Sequence, residues 1–434
     1  MRGAHQWAAK FSPIRRPAGG GRFGYIRRMP SATPRPLSAT QVLLCGAMIV
    51  TLSMGIRHGF GLWLQPITQE QGWTREAFSF AIAIQNLSWG VIGVFAGMMA
   101  DKFGAFRVLL AGALCYTLGL VGMATSSTPL MFAATAGVLI GAAQAGTTYA
   151  VIYGVIGRQL PAERRSWAMG VAAAAGSFGQ FLMVPVEGML IARLGWHTAL
   201  LVLAAMVLVI VPLAFGLREP RRVQPAGGAP AQTIAQAVSE AFRYPSFVLL
   251  VAGYFVCGFQ VVFIGVHMPS YLKDKGLSPE VASYALALIG LFNIFGTYIA
   301  GTLGQRLAKR KILAAIYFGR AVAIALFLLA PLSPMSVYLF SAGIGLLWLS
   351  TVPPTNAIIA QIFGVAHLSM LGGFAFLSHQ VGSFLGVWLG GYLYDRTGSY
   401  DVVWYIAIAL GIFAALVNLP VRETAIHRRA AQPA

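Results

Sequence analysis

The sequence has 434 residues, of which 57% are hydrophobic and only 10% carry a charge. A water-soluble protein of this length needs more Lys, Arg, Asp and Glu on its surface, so the composition excludes an ordinary soluble fold. The net charge of the chain is +19, and a strongly positive charge is typical of nucleic-acid-binding proteins. Here, however, the basic residues lie in short segments between apolar blocks. That distribution is typical of membrane topology and argues against nucleic acid as a partner.

The apolar blocks have the length of a bilayer-spanning helix, about 20 residues. Because backbone polar groups must be paired inside hydrocarbon, each block is expected to be helical. The sequence therefore predicts an all-α membrane protein with twelve transmembrane helices, at residues 41–66, 77–100, 108–126, 129–157, 168–193, 197–217, 246–272, 282–304, 312–331, 335–362, 367–394 and 402–420.

The twelve helices divide into two groups of six. A polar linker rich in Arg, Pro and Gly separates them, and the first forty residues are basic and rich in Gly, Pro and Arg, which predicts a disordered cytoplasmic tail. We predict five segments: an N-terminal tail 1–40, a first bundle 41–217, a linker 218–245, a second bundle 246–420 and a C-terminal tail 421–434.

The two groups of helices repeat one another in sequence. At an offset of 204 residues, Gly72-Trp-Thr-Arg-Glu76 aligns with Gly276-Leu-Ser-Pro-Glu280, and the basic residues that follow align as well. Two pseudo-symmetric six-helix halves are typical of transporters that bind substrate between the halves and rock them about the site.

Positive charge is concentrated in the segments that share one side of the membrane with the N-terminus. Because cytoplasmic loops carry an excess of Lys and Arg, we predict a multi-pass protein of the inner (plasma) membrane with both termini cytoplasmic. We also expect it to work as a monomer in the lipid bilayer. The residues that indicate this orientation are Lys102, Arg107, Arg158, Arg164, Arg165, Arg218, Arg221, Arg222, Arg243, Arg306, Lys309, Arg310, Lys311, Arg422, Arg428 and Arg429.

A short motif lies between the second and third predicted helices. It reads Gly97-Met-Met-Ala-Asp101-Lys102-Phe-Gly104-Ala-Phe-Arg107 and resembles the signature loop of the major facilitator superfamily, GxxxDKxGxxR. The resemblance implies that Gly97, Asp101, Lys102, Gly104 and Arg107 form a conformational latch that holds the two halves together at the cytoplasmic face.

Further segments resemble the branch of that superfamily that contains monocarboxylate transporters and oxalate/formate antiporters. They include Gly72-Trp-Thr-Arg75, Arg164-Arg-Ser-Trp-Ala-Met-Gly170 and Gly372-Gly-Phe-Ala-Phe-Leu-Ser-His-Gln-Val-Gly382. The resemblance implies transport of small organic anions, with protons or by exchange. The sequence departs from the eukaryotic carriers in helix 8, which here carries no charged residue within its apolar run.

Helix 1 contains the adjacent cations Arg57 and His58. A charge near the bilayer centre costs several kcal/mol, so it requires a partner or a function. Arg offers a planar fork that matches a carboxylate, and His titrates near neutral pH, so the pair is suited to an organic anion. The alternative is that Arg57 pairs with Glu187 and only holds helices together.

Other polar residues inside helices are candidates for the same cavity. Each of them is equally compatible with an ordinary interhelical hydrogen bond. The full set of substrate-binding candidates is Arg57, His58, Asn86, Tyr149, Gln180, Gln260, Asn293, His379 and Gln380. The candidates for proton coupling are His58, Glu187 and His379.

Competing functions are weaker matches to the sequence. Efflux of hydrophobic compounds favours a greasy cavity with an acid, whereas Arg57 and His58 predict a cationic one. A membrane sensor needs a soluble signalling domain, and an enzyme needs a catalytic cluster. Neither pattern is found in the sequence, and there is no metal-ligand spacing, phosphate loop or cofactor motif. We therefore predict a secondary active transporter of a small organic anion, a carboxylate, without cofactor or metal.

Overall fold

The computed structural model describes residues 38–219, 233–364 and 368–426. Within these residues every regular element is a helix. Residues 1–37 of the predicted tail, 220–232 of the predicted linker and 427–434 at the C-terminus lie outside the described part of the chain.

The first half begins after Ser38, whose hydroxyl caps the first helix by accepting from the Gln41 backbone N–H at 3.1 Å. Its elements are α1 (Ala39–His58), α2 (Phe60–Gln71), α3 (Arg75–Phe103), α4 (Ala105–Thr125), α5 (Pro129–Phe132), a π-helical segment (Ala133–Leu139), α6 (Ile140–Thr147), α7 (Tyr149–Gln159), α8 (Ala162–Val207) and α9 (Ile210–Phe215).

A short linker helix, α10 (Ile234–Arg243), precedes the second half. The elements of the second half are α11 (Pro245–Asp274), α12 (Pro279–Leu303), α13 (Lys309–Leu329), α14 (Pro334–Leu347), α15 (Val352–Phe363), α16 (Leu368–Thr397) and α17 (Asp401–Asn418).

The number of membrane crossings agrees with the prediction of twelve. In the described residues, 11 helical stretches are long and apolar enough to cross a bilayer. One of them, Trp167–Phe215, has 49 residues and contains Gly195 in the left-handed region, at φ 72° and ψ 163°. That glycine turns the chain back, so the stretch accounts for the fifth and sixth crossings and the total is twelve.

Helix α10 lies within the predicted polar linker 218–245, where no helix was predicted. Thr233 and Gln236 form a reciprocal capping box at its start, in which each side chain bonds to the other residue's backbone N–H. This Thr-x-x-Gln pattern satisfies two orphan donors and begins a helix even in a mainly polar segment.

The two halves pack as a pseudo-symmetric pair. Within the halves, α1 packs mainly on α8 and α11 mainly on α16, while between the halves α3 packs on α16 and α8 on α12. Two large hydrophobic cores follow this division, one built mainly from residues before 218 and the other mainly from residues after 240. The arrangement leaves the central region between the halves for polar side chains.

The interface of α11 with α16 depends on close backbone contact. A Cβ atom added at Gly382 would overlap the carbonyl oxygen of Phe255, and one added at Gly386 would overlap that of Phe259. Small residues allow membrane helices to approach closely, which is where their packing energy comes from.

We expect Gly382→Ala to lower the thermal unfolding temperature of the detergent-solubilised protein. The added methyl group meets a backbone oxygen that cannot rotate away, and such overpacking costs about 1–3 kcal/mol. Gly373→Ala is the matched control, because it lies on the same helix and a Cβ there meets nothing within 4 Å. Equal unfolding temperatures for the two variants would contradict the packing assigned to this interface.

Candidate functional site

A break in the first membrane helix positions the candidate site. α1 ends at His58 and α2 starts at Phe60, with Gly59 between them at φ −84° and ψ −7°. A Cβ at Gly59 would overlap the Glu187 carboxylate on α8, so only glycine allows this approach. Arg57 and His58 therefore lie at the end of a helix, in the middle of the bundle.

Arg57 is held by two residues of α3. Its Nη2 donates to Asn86 Oδ1 at 2.5 Å, and its guanidinium lies 4.8 Å from the centre of the Trp89 ring. Asn86 is oriented in turn by its Nδ2, which donates to the carbonyl of Ile82 at 2.8 Å. Among the described residues, no acid lies within ion-pair distance of Arg57, and its buried Nε has no hydrogen-bond partner.

The cavity beside Arg57 has one polar and one apolar wall. Its volume is about 20 Å³, which is room for little more than one water molecule. The first half supplies most of the polar residues, and the second half supplies mainly aliphatic and aromatic ones. The lining consists of Arg57, His58, Phe60, Gly61, Ile82, Gln85, Asn86 and Gln180 from the first half, and Val261, Val262, Gly265, Val266 and Trp348 from the second.

Several polar groups of the lining residues are arranged for a ligand with oxygen atoms. The Nε1 of Trp348, like the Nε of Arg57, is a buried donor without a partner in the described part of the chain. His58 Nδ1 bonds to the Met54 carbonyl at 2.6 Å, which requires the proton on Nδ1 and leaves Nε2 as an acceptor when the ring is neutral. Unpaired buried polar groups are costly, and in the described part of the chain the lining holds two such donors, Arg57 Nε and Trp348 Nε1, and one such acceptor, Gln180 Oε1. The two donors are suited to a ligand with acceptor atoms.

Glu187 does not pair with Arg57. The Glu187 side chain is fully buried, and its Oε2 accepts a hydrogen bond from Trp63 Nε1 at 2.8 Å. Its Oε1 has no partner among the described residues. The alternative prediction of an Arg57–Glu187 ion pair therefore does not hold in this structure.

Other candidates from the sequence lie away from the cavity lining and make structural contacts. Gln260 donates to the Ala407 carbonyl at 2.8 Å, and Asn293 donates to Ser177 Oγ at 2.8 Å while accepting from the Leu349 backbone N–H at 2.9 Å. Tyr149 packs on Tyr153, with ring centres 5.6 Å apart.

His379 and Gln380 lie on α16, behind the residues that line the cavity. His379 Nδ1 lies 3.0 Å from Gln380 Oε1, and the imidazole stacks on Phe376. Gln380 Nε2 donates across the interface to the Asn86 carbonyl at 2.9 Å. Gln380 therefore contacts the backbone of the residue that orients Arg57, whereas His379 stays inside the second half.

Three residues of the site were not among the sequence candidates: Gln85 and Trp348, which line the cavity, and Trp89, which stacks on Arg57. Gln85 Nε2 donates to the Ala136 carbonyl at 2.8 Å. Trp89 is three positions after Asn86, so helical spacing alone puts both residues on one face. The spacing of Asn86 and Trp89 is therefore a local signal, present in the sequence, that connects Trp89 with the site.

Arg320 has a different environment from that of Arg57. Its guanidinium donates to the carbonyl of Leu347 at 2.7 Å and to that of Trp348, and it also contacts Gln260 and Cys257. These carbonyls belong to the end of α14, where the helix breaks before α15. A cation at a helix C-terminus satisfies its free carbonyls, so Arg320 stabilises the break.

One end of the bundle, here called the Arg75 end, is closed by bonds between the halves. Arg75 at the start of α3 makes two 2.7 Å bonds to the Asp274 carboxylate on α11, and its guanidinium lies 3.7 Å from the centre of the Tyr394 ring. Asp395 accepts from the backbone N–H groups of Arg75 and Glu76 at 3.2 and 2.6 Å. The carboxylate caps a helix N-terminus that belongs to the other half.

Tyr400 extends this network into the second half. Arg75 Nη1 donates to the Tyr400 hydroxyl at 2.8 Å, and the hydroxyl lies 3.2 Å from His267 Nδ1. Burial raises the pKa of the Tyr400 phenol, so the hydroxyl stays protonated and is a donor to His267. His267 Nε2 then donates to the Val387 carbonyl at 2.8 Å.

The segment that resembles the superfamily loop forms the turn between α3 and α4. Gly104 adopts φ 89°, a left-handed value that favours glycine, and Lys102 lies 5.2 Å from the centre of the Phe103 ring. A Cβ at Gly97 would meet nothing within 4 Å, so none of the described elements packs against that glycine in this conformation. The side chain of Asp101 lies outside the described part of the structure.

Twelve membrane-crossing helices in two pseudo-symmetric halves around a central cavity define a transport protein. The sequence matches the Major Facilitator Superfamily over residues 43–363, and the chain belongs to that superfamily. It is therefore a multi-pass membrane transporter of small molecules and not an enzyme.

Relatives of known sequence extend this assignment over nearly the whole chain. The uncharacterized MFS-type transporter YcxA of Bacillus subtilis is 25% identical, with 84% of this chain and 90% of the relative covered. Monocarboxylate transporter 13 of Rattus norvegicus is 27% identical (87% and 88%), and the oxalate:formate antiporter of Oxalobacter formigenes is 22% identical (89% and 96%). The predicted resemblance is confirmed, and the bacterial relatives imply an inner-membrane location.

A solved structure gives the same fold independently. A bacterial homolog of the human lysosomal transporter Spinster superimposes with a TM-score of 0.70 at 16% identity, covering 88% of this chain and 98% of the other.

Proposed function

We propose that the protein transports a small organic anion, a carboxylate, which binds to Arg57 between the two halves. The observation that carries the proposal is an arginine beside the cavity that has no acidic partner in the described residues and an unpaired buried Nε. An uncompensated charge in a low-dielectric interior is costly, so a bound anion supplies the missing partner. The carboxylate accepts from Arg57, and Trp348 Nε1 is a second donor for it.

The shape of the cavity supports a monocarboxylate with a short apolar tail. Within the lining, positive charge is confined to Arg57 and His58, and the second half contributes the aliphatic residues Val261, Val262 and Val266. A second carboxylate group would face these aliphatic residues without a donor, which is unfavourable. The small volume requires the site to widen when substrate enters.

Binding to the purified protein in lipid nanodiscs tests this proposal. A carboxylate panel of acetate, propionate, benzoate, oxalate and succinate is compared with propionamide and benzamide, which have similar shapes without the charge. We expect saturable binding of a monocarboxylate and none of its amide. Equal binding of acid and amide, or binding of hydrophobic cations alone, would reject the anion site and favour efflux of hydrophobic compounds.

Alternating access is the proposed mechanism, by proton symport or anion exchange. The bonds at the Arg75 end support a conformation closed on that side, and the open space at Gly97 supports separation at the other. We propose that Gly97, Asp101, Lys102, Gly104 and Arg107 form a latch that closes when the Arg75 end opens.

The latch proposal predicts that Asp101→Asn slows transport while the substrate dissociation constant changes little. The residue lies at the end of α3, far along the chain from the cavity residues of that helix, and gating residues affect conformational steps rather than binding. Uptake rate and equilibrium binding, measured on the same preparation, check this. A parallel loss of affinity and rate in a folded variant would place Asp101 in the binding site.

The charge bias supports an orientation with both termini in the cytoplasm. Reporter fusions after Pro220 and after Arg429 are expected to behave as cytoplasmic. A periplasmic signal at either position would reverse the orientation, and the Arg75 end would then face inward.

A further inference from the structure

We propose that Glu187 is the proton-binding group of the transporter and that proton and anion bind together. This inference rests on the proposed function and adds the coupling ion and its residue. The side chain has no exposure, and one oxygen has no hydrogen-bond partner in the described residues. Trp63 supplies a single neutral donor to the other oxygen.

The surroundings favour the neutral acid in this conformation. An ionised carboxylate removed from water costs several kcal/mol unless a cation or several donors compensate it. None of the ion pairs in the described residues includes Glu187. The proton therefore stays on Glu187 while the Arg75 end is closed, and Arg57 keeps its charge for the substrate.

Glu187 is placed to affect Arg57 because it contacts the break between α1 and α2. Its carboxyl oxygens pack against Gly59, two residues after Arg57. Tyr116 on α4 interacts electrostatically with both Arg57 and Glu187. If the proton leaves, the carboxylate requires a cation, and a bend at Gly59 brings Arg57 to it.

This competition couples the two ligands. An Arg57–Glu187 ion pair removes the guanidinium from the anion, whereas a proton on Glu187 releases it. One proton then accompanies one monocarboxylate, and the loaded and empty carriers have the same net charge. Anion without proton, or proton without anion, leaves a buried charge unpaired, so neither crosses efficiently alone.

The groups around Glu187 leave it as the best of the three proton candidates. Tyr116 on α4 is the titratable group that interacts electrostatically with Glu187, and Trp63 on α2 is its uncharged donor. The cationic residues adjacent in the chain to its Gly59 contact are His58 and Arg57 at the end of α1. His58 is next to a fixed positive charge, which opposes a second one. His379 lies outside the cavity lining and bonds to Gln380.

Transport by Glu187→Gln in proteoliposomes tests the proposal, with the panel carboxylate that binds most tightly. We expect counterflow exchange to persist, because Gln resembles the protonated acid, and accumulation driven by a pH gradient to disappear. A gradient of one pH unit supports about tenfold accumulation in the wild type if one proton accompanies one anion. Glu280→Gln, which changes an exposed acid at the start of α12, is the matched control and keeps both activities.

Proton uptake by the unmodified protein gives an independent readout. In weakly buffered solution with a pH-indicator dye, adding the same carboxylate to wild type at alkaline pH should take up about one proton per site if binding requires protonated Glu187. Gradient-driven accumulation by Glu187→Gln, loss of exchange in a folded Glu187→Gln protein, or binding without proton uptake would each overturn the proposal. Absence of carboxylate binding to wild type would instead reject the proposed function.

Discussion

Arg57→Gln is expected to abolish saturable binding of the carboxylate while the protein remains inserted and monodisperse. Removing one partner of a buried, hydrogen-bonded charge pair costs about 3–5 kcal/mol, which corresponds to a loss of affinity of about two to four orders of magnitude. The fold should tolerate the change, because Arg57 makes no ion pair with the described residues. Binding of the carboxylate panel and size-exclusion profiles measure the two effects.

Two further substitutions sharpen this prediction. Arg57→Lys should restore only part of the affinity, because it keeps the charge but loses the planar fork. Arg320→Gln is the contrasting control, since that arginine satisfies the carbonyls of Leu347 and Trp348. Its loss should lower thermal stability before it affects affinity.

The double variant Arg57→Gln with Glu187→Gln separates a substrate anchor from a structural ion pair. If the two residues exist only to neutralise each other in some conformation, removing both restores a stable and active transporter. Full transport by the double variant would contradict the role proposed for Arg57. A stable double variant that no longer binds the anion supports it.

Arg75→Gln is expected to open the Arg75 end in a large fraction of molecules. The substitution removes two 2.7 Å bonds to Asp274 and one to Tyr400, all of them between the halves. The Arg75 and Asp274 side chains are only 12% and 25% exposed, so solvent screens the pair incompletely. We assign this contact about 1–2 kcal/mol, which shifts the balance of open and closed states about tenfold.

Thiol labelling measures this shift. A cysteine replacing Ser270, which is 1% exposed and whose backbone carbonyl accepts from Gln65, is introduced into a background without the three native cysteines. Reaction with a membrane-impermeant maleimide should be about tenfold faster with Arg75→Gln, because labelling follows the open population. Lys309→Gln is the control, since its pairing with Glu423 lies within the second half. Equal labelling of all three proteins would show that the ion pair does not hold this end closed.

The sequence predicted the membrane architecture well because hydropathy and chain length determine it. Helix breaks differ in how far the sequence marks them. Adjacent prolines at 353 and 354 remove backbone donors next to the interruption between α14 and α15. The break at Gly59 instead depends on contact with Glu187, a residue far away along the chain. A contact of that kind has no local signal.

The composition of the candidate site was harder to predict than the helices. A polar residue in a membrane helix faces either the cavity or a neighbouring helix, and the sequence does not give the rotation of the helix. Asn86 and Gln180 line the cavity, whereas Gln260 and Asn293 bond to neighbouring helices. Trp348 has no local signal in the sequence because tryptophan is common in membrane proteins, and its role as a candidate rests on an unpaired Nε1 beside the cavity.

Uptake by reconstituted wild-type protein tests the central claim most directly. Proteoliposomes are supplied with radiolabelled acetate, propionate, benzoate, oxalate or succinate, with and without a pH gradient that is alkaline inside. We predict saturable uptake of a monocarboxylate that the gradient increases and that Arg57→Gln abolishes. Uptake of no carboxylate under either condition, together with transport of a hydrophobic cation, would contradict the claim that this protein carries organic anions.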